Sequence, residues 1–198
     1  MRTVAQHGMT LLLLLLLLLL SSCASNLSGP TTQPNAVALS DNSQYTLAKT
    51  PASMVGQGYL SLVTGGYEDS SYELLVQVEL NRDNIVMVGT TVNGIELFEL
   101  VWFDHKPWQL KQSPLAKTIK PEYLLADFQL VHWPLPSINE HLKGAKMTQN
   151  ETNAVRERVV KQGEQPIITI TSQAQQTTFE QHSRRYRLNI KILETWTQ

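Results

Sequence analysis

PEYLLADFQLVHWPLP, Pro121–Pro136, is the stretch on which the fold turns. It is the one long segment beyond the leader that has the pattern of an apolar helix, in a chain that otherwise alternates like β-strand. Pro121 fits the first helical position, where its missing N–H costs nothing. Glu122 suits the positive end of the helix. Leu124, Leu125, Phe128 and Val131 follow the i, i+1, i+4, i+7 rule and mark one face, with Asp127 off it. Pro134 and Pro136 end the pattern, which predicts a helix over 121–133. Ser137 and Glu140 have the spacing of a capping box for one more short turn. A single apolar helix in a β-rich chain must bury that face. It either fills an ordinary core or closes a cavity that holds something else.

Upstream, the folded domain is expected to begin near Val55. Gly58–Thr64 alternates loosely and Gly65-Gly66 signals a turn or bulge. Tyr72–Leu80 is the clearest strand: Tyr72, Leu74, Val76, Val78 and Leu80 share a face opposite Glu73, Gln77 and Glu79. Ile85–Val92 is apolar on both faces. Asn93-Gly94, the dipeptide favoured in type I′ turns, then marks a hairpin. Ile95–Phe103 follows with Ile95, Leu97, Val101 and Phe103 on one side and Phe98, Leu100 and Trp102 on the other. Trp108–Lys111 is a further short candidate.

Downstream of the helix the chain returns to strand. Ala145–Thr148 is a weak candidate. Ala154–Lys161 sets Val155 and Val159 against Arg156 and Arg158, and Gln162-Gly163 marks a turn. Pro166–Thr171 is β-rich. Tyr186–Glu194 closes the domain, with Tyr186, Leu188, Ile190 and Ile192 opposite Arg185, Arg187, Asn189 and Lys191. The order strands, helix, strands predicts a mainly β, α+β domain: one curved antiparallel sheet crossed by a helix.

The 198 residues suit one domain, and the net charge of −1 argues for neither nucleic acid nor a polybasic lipid contact. Residues 1–22 have the form of a lipoprotein signal peptide. Arg2 gives a thin positive region, and Leu11–Leu20 is an apolar run shorter than the about 20 residues a spanning helix needs. Leu20-Ser21-Ser22-Cys23 resembles a bacterial lipobox, and Cys23 is the chain's only cysteine. On that pattern Cys23 carries a covalent diacylglycerol and an N-acyl chain, each buried CH₂ worth about 0.8 kcal/mol of anchoring. Ala24 rather than Asp follows it, which by resemblance to bacterial lipoproteins favours the outer membrane. Residues 23–54, rich in Ser, Thr, Asn, Gln and Pro, are expected to be a flexible tether spanning on the order of 30 Å. The domain then runs over 55–198.

Sites for chemistry are sparse. His132 and His141 have no cysteine or HExxH context, so no metal site is expected. No GxSxG, P-loop or GxGxxG occurs. Glu96, Glu99 and Asp104 occupy strand positions ordinary for solvated charge, and no catalytic residue is assigned. Arg184, Arg185 and Arg187 form the densest basic cluster, expected as a solvated strand face in preference to an anion or headgroup site.

The lipobox, tether, β-meander and helix together resemble a family of outer-membrane lipoproteins often encoded among aryl-polyene and fatty-acid-type biosynthesis genes, beside a LolA-like carrier. The most specific pieces are Pro121–Pro134 and YRLNIKILE at Tyr186–Glu194. That family is similar in turn to LolB, the outer-membrane lipoprotein receptor. The resemblance implies an incomplete β-barrel of LolA/LolB type with helices over its open face. It also implies a non-enzymatic activity, at the periplasmic face of the outer membrane: accepting a lipid, polyene or other acyl cargo from a periplasmic LolA-like carrier and passing it to the bilayer. LolB carries a protruding hydrophobic loop. The corresponding hairpin here, Thr91–Ile95, is tipped by polar Asn93-Gly94.

On this expectation an acyl-binding cavity is lined by Leu97, Phe98, Leu100, Trp102, Leu124, Leu125 and Phe128, with helix 121–133 as wall or lid. The pattern leaves open which face of 95–103 points inward. Two other classes remain: a scaffolding envelope lipoprotein with a filled core, and an enzyme acting on acyl-linked substrates.

Overall fold

The computed structural model describes residues 35–67 and 70–198, so the predicted signal peptide, Cys23 and the start of the tether lie outside the described residues. The described residues belong to one unit, Gln33–Gln198. They open with a hairpin of β1 (Ala36–Ser40) and β2 (Ser43–Thr46). Over its described part, 35–54, this corrects the expected tether: Val37, Leu39, Tyr45, Leu47 and Ala48 are buried. The segment is polar overall, but its few apolar residues alternate and dock on the domain.

The hairpin is tied down by polar contacts. Gln129 bonds both backbone groups of Ala48, accepting from its N–H and donating to its carbonyl, each at 2.9 Å. The Tyr45 hydroxyl donates to the same Gln129 side chain at 3.0 Å, and Gln181 donates to the Leu39 carbonyl at 2.9 Å. Buried backbone polar groups need partners, and here side chains supply them.

Five strands then run as a meander: β3 (Gln57–Tyr67), β4 (Ser70–Leu80), β5 (Ile85–Thr90), β6 (Glu96–Trp102) and β7 (Gln109–Gln112). Two helices follow, α1 (Pro121–His132) and α2 (Leu135–His141). The short β8 (Leu142–Lys143) pairs with β2. A second meander completes the fold: β9 (Lys146–Thr152), β10 (Val155–Gln162), β11 (Gln165–Gln173), β12 (Gln176–Gln181) and β13 (Tyr186–Thr197). The two meanders join through one antiparallel ladder between β3 and β13, giving the order β7-β6-β5-β4-β3-β13-β12-β11-β10-β9. The sheet is open, not closed into a barrel. Its edges are β7, with the sequence QLKQ, and β9, with KMTQNET. Short or polar edge strands of this kind resist pairing with other chains.

One face of the sheet carries the core. Leu74, Val76, Val78 and Leu80 are buried on β4, as their alternation predicts, and Phe98, Leu100 and Trp102 are the inward set on β6. The β5–β6 turn differs from the type I′ expectation, since only Gly94 of the pair has positive φ (83°). The Gly94 N–H donates to the Thr91 carbonyl and the Thr91 N–H to the Ile95 carbonyl, both at 2.9 Å. That is a three-residue loop, a type I turn closed by a left-handed glycine.

α1 meets strands from both meanders. It approaches β6, and Arg158 on β10 donates to its Leu130 and Val131 carbonyls at 2.8 and 2.9 Å. In a flat sheet those strands, seven steps apart, would be about 34 Å apart, nearly twice the ~18 Å length of a 12-residue helix. The sheet therefore curls about α1. With sheet on one side and the β1–β2 hairpin on the other, α1 is buried on more than the predicted face. Leu125, Ala126, Asp127, Gln129, Leu130 and Val131 are buried, while Leu124 and Phe128 are half-buried.

Two further expectations change. Pro134 ends α1 but Pro136 lies in the first turn of α2, whose N-cap is Pro134, so Ser137 is no cap. Gly65-Gly66 continues β3 without a turn. Arg158, on the face opposite Val155 and Val159, is 4% exposed and supplies charge-assisted bonds to the carbonyl end of α1, where a cation is favoured.

Candidate functional site

A cavity of about 520 Å³ lies between α1, the segment 118–120 before it, and strands β4 and β13. Its apolar walls are Ile119, Leu124 and Leu188, and three phenol rings join them: Tyr72 from β4, Tyr123 from α1 and Tyr186 from β13. Gly65 on β3 makes room for two of these groups. A Cβ there would stand 2.7 Å from a Leu188 methyl and 2.9 Å from the Tyr72 hydroxyl. A smaller cleft of about 30 Å³ shares Leu124, Asp127 and Leu188 as walls and runs past Phe128 to Val63 and Val76.

The polar groups of the cavity divide by depth. Asp127, 4% exposed, faces it from within α1, and the Tyr186 hydroxyl reaches both carboxyl oxygens at 3.0 and 2.8 Å. Burial pushes the Asp127 carboxyl up to about 7, against the hydrogen bond from Tyr186 and the charge of Arg184, which pull it down. Tyr186 and Tyr72 are pushed up by burial first and by Asp127 second. Farther out, Lys120 is exposed and Arg184 half-buried, and both line the cavity. The Arg184 guanidinium carbon lies 3.9 Å from the centre of the Tyr123 ring, and the Lys120 ammonium 5.6 Å from it. An apolar slot with a protonatable floor and a cationic rim can bind an amphiphile. Among the described residues no group of three or more His, Cys, Asp or Glu could hold a metal ion.

Of the seven residues expected to line a cavity, only Leu124 borders the large one, and Leu124 and Phe128 border the small cleft. Leu97, Phe98, Leu100, Trp102 and Leu125 line neither and are buried in the hydrophobic core. The expectation placed the space beneath β6, whereas the large cavity lies beside α1 and β13. His132 packs between the rings of Tyr59 and Phe128, centroids 4.9 and 4.4 Å away. Burial, with Arg156 and Arg158 adding to it, holds His132 down at about 3, so it is neutral at ordinary pH. The arginine cluster splits: Arg187 is exposed beside Glu180 at 3.4 Å, whereas Arg184 lies on Tyr123.

Asp127, Tyr186, Tyr72 and Arg184 are the site residues that the pattern missed. Asp127 had one visible signal, a carboxylate inside the apolar run YLLADFQLV. Arg184 showed only as part of the basic cluster with Arg185 and Arg187, and Tyr186 had no signal, because its role depends on β13 lying beside α1.

A family model described as "Protein of unknown function (DUF3261)" matches residues 59–194. No curated protein matches the chain. Among solved structures, one similar chain is described as "Crystal structure of putative outer membrane lipoprotein-sorting protein domain from Vibrio parahaemolyticus". It is 7% identical, with a TM-score of 0.32, over 72% of this chain and 85% of that one.

Proposed function

The chain belongs to the DUF3261 family, and from that premise we propose that it is a lipid-anchored acceptor that takes an acyl or polyene cargo into the cavity beside α1. The matched span, 59–194, takes in every residue that lines the cavity, from Tyr72 to Leu188. The site thus lies within the matched span. On this proposal Cys23 carries the anchor, the domain stands at the periplasmic face of the outer membrane, and a LolA-like carrier delivers the cargo. Transfer is non-enzymatic, driven by burial of apolar chain, and needs no nucleotide.

The carrying observation is the cavity itself. At about 520 Å³ it falls in the range of about 300–1,000 Å³ usual for small-molecule sites. Its walls are mainly apolar and it has a few convergent polar groups, as such sites require.

Purified protein titrated with cis-parinaric acid, whose fluorescence rises on burial, should show saturable binding. Leu124→Trp should abolish that binding, because the larger ring fills the slot, while leaving the circular dichroism of the fold in place. No saturable binding to the unsubstituted protein would sink the proposal and favour a scaffolding lipoprotein.

A further inference from the structure

The outer part of the cavity carries charge of one sign. Lys120 stands immediately before α1 and Arg184 immediately before Arg185 and β13, so two elements remote in sequence bring two cations to one rim. The Tyr123 ring backs both, at 3.9 Å from Arg184 and 5.6 Å from Lys120. A guanidinium lying on a ring face is held in place while its N–H groups stay available to an acceptor. The inner part differs. Leu188 and Asp127 are buried, Ile119 and Leu124 half-buried. Asp127 is the one acid among the lining residues, and both its oxygens face the Tyr186 hydroxyl.

This gradient orients an amphiphile. An anionic head at the rim gains charge-assisted bonds from Arg184 and Lys120, which are stronger than neutral ones. The same head pushed inward would leave those donors, lose water and meet the carboxyl of Asp127. An apolar tail gains by lying on Ile119, Leu124 and Leu188. Resting on the acyl-acceptor function proposed above, we infer that the ligand is an amphiphile with an anionic carboxylate or phosphate head. The head is held between Lys120 and Arg184 at the rim, with the tail directed toward Leu188.

The test uses cis-parinaric acid and its methyl ester, which share one chain and differ in head charge. With the purified full chain at neutral pH, the acid should bind about tenfold more tightly than the ester, as expected for loss of a hydrogen bond to a charged group. Lys120→Gln combined with Arg184→Gln should weaken the acid to the level of the ester, by a far larger factor than it changes the ester. Lys120→Gln alone, at an exposed residue that cannot unfold the domain, should remove part of the preference. Added salt should weaken the acid only. Equal binding of acid and ester overturns the anionic head while the acyl cavity stands, and so does equal weakening of both by the double variant. If neither probe binds the unsubstituted protein, the cavity is not an acyl site at all.

Discussion

Asp127 holds a proton that an ordinary carboxyl loses. Folding raises it from 3.8 to about 7, so the folded chain binds that proton more tightly than the unfolded chain. Its contribution to stability is complete below the unfolded value and is lost as pH rises from about 4 to about 7. Asp127→Asn keeps an acceptor for Tyr186 and removes the titration. The variant should be the more stable protein above neutral pH, by on the order of 4 kcal/mol, with the difference vanishing near pH 4. Denaturant melts across that range measure it. His132 has the opposite sign. Folding lowers it from 6.5 to about 3, so stability present above its unfolded value is lost as pH falls through that window. His132→Phe should flatten this acid limb in the same melts.

Arg158 satisfies the carbonyls of Leu130 and Val131 that the end of α1 leaves unpaired. Arg158→Met should cost about 3 kcal/mol in chemical denaturation, mostly by orphaning them. Of these residues only Asp127 had a signal in the sequence, as a carboxylate inside an apolar run. A run such as VRERVV has charged residues alternating with apolar ones whichever face turns inward, and only the approach of α1 shows that Arg158 is inside.

Among elements, the β-meander and α1 were legible because each carries a strong period, two in Tyr72–Leu80 and helical in Leu124–Val131. The burial of α1 was misread because a one-faced helix assumes water on its other side, and β1–β2 occupies that side. The hairpin itself was hidden by composition. Its inward residues are Val37, Leu39, Ser43 and Tyr45, set among Ser, Asn, Asp and Gln. β12 was missed for the same reason, since its inward set is Thr177, Phe179 and Gln181. A chain beginning at Val55 would expose the Gln129 side of α1 and leave Gln181 without the Leu39 carbonyl. Its thermal midpoint should fall by about 10 °C or more relative to a chain beginning at Asn35, read by circular dichroism.

At the scale of the molecule, the site exists because two half-sheets meet. Tyr72 comes from the first, Tyr186 and Leu188 from the second, and α1, carrying Asp127, lies between them in sequence and against both in space. Composition and periodicity describe each half separately, and neither reports which strand lies beside which.

The ladder that joins the halves also fixes a schedule. Its partners Tyr67 and Tyr186 are about 120 residues apart, and β13 follows every other strand in the sequence. Contacts so distant form late, after a large loop has closed. A chain emerging N-terminus first therefore presents β3 with one edge bare while the second meander is still being made. During that interval the edge is a template for any passing strand, its own kind included.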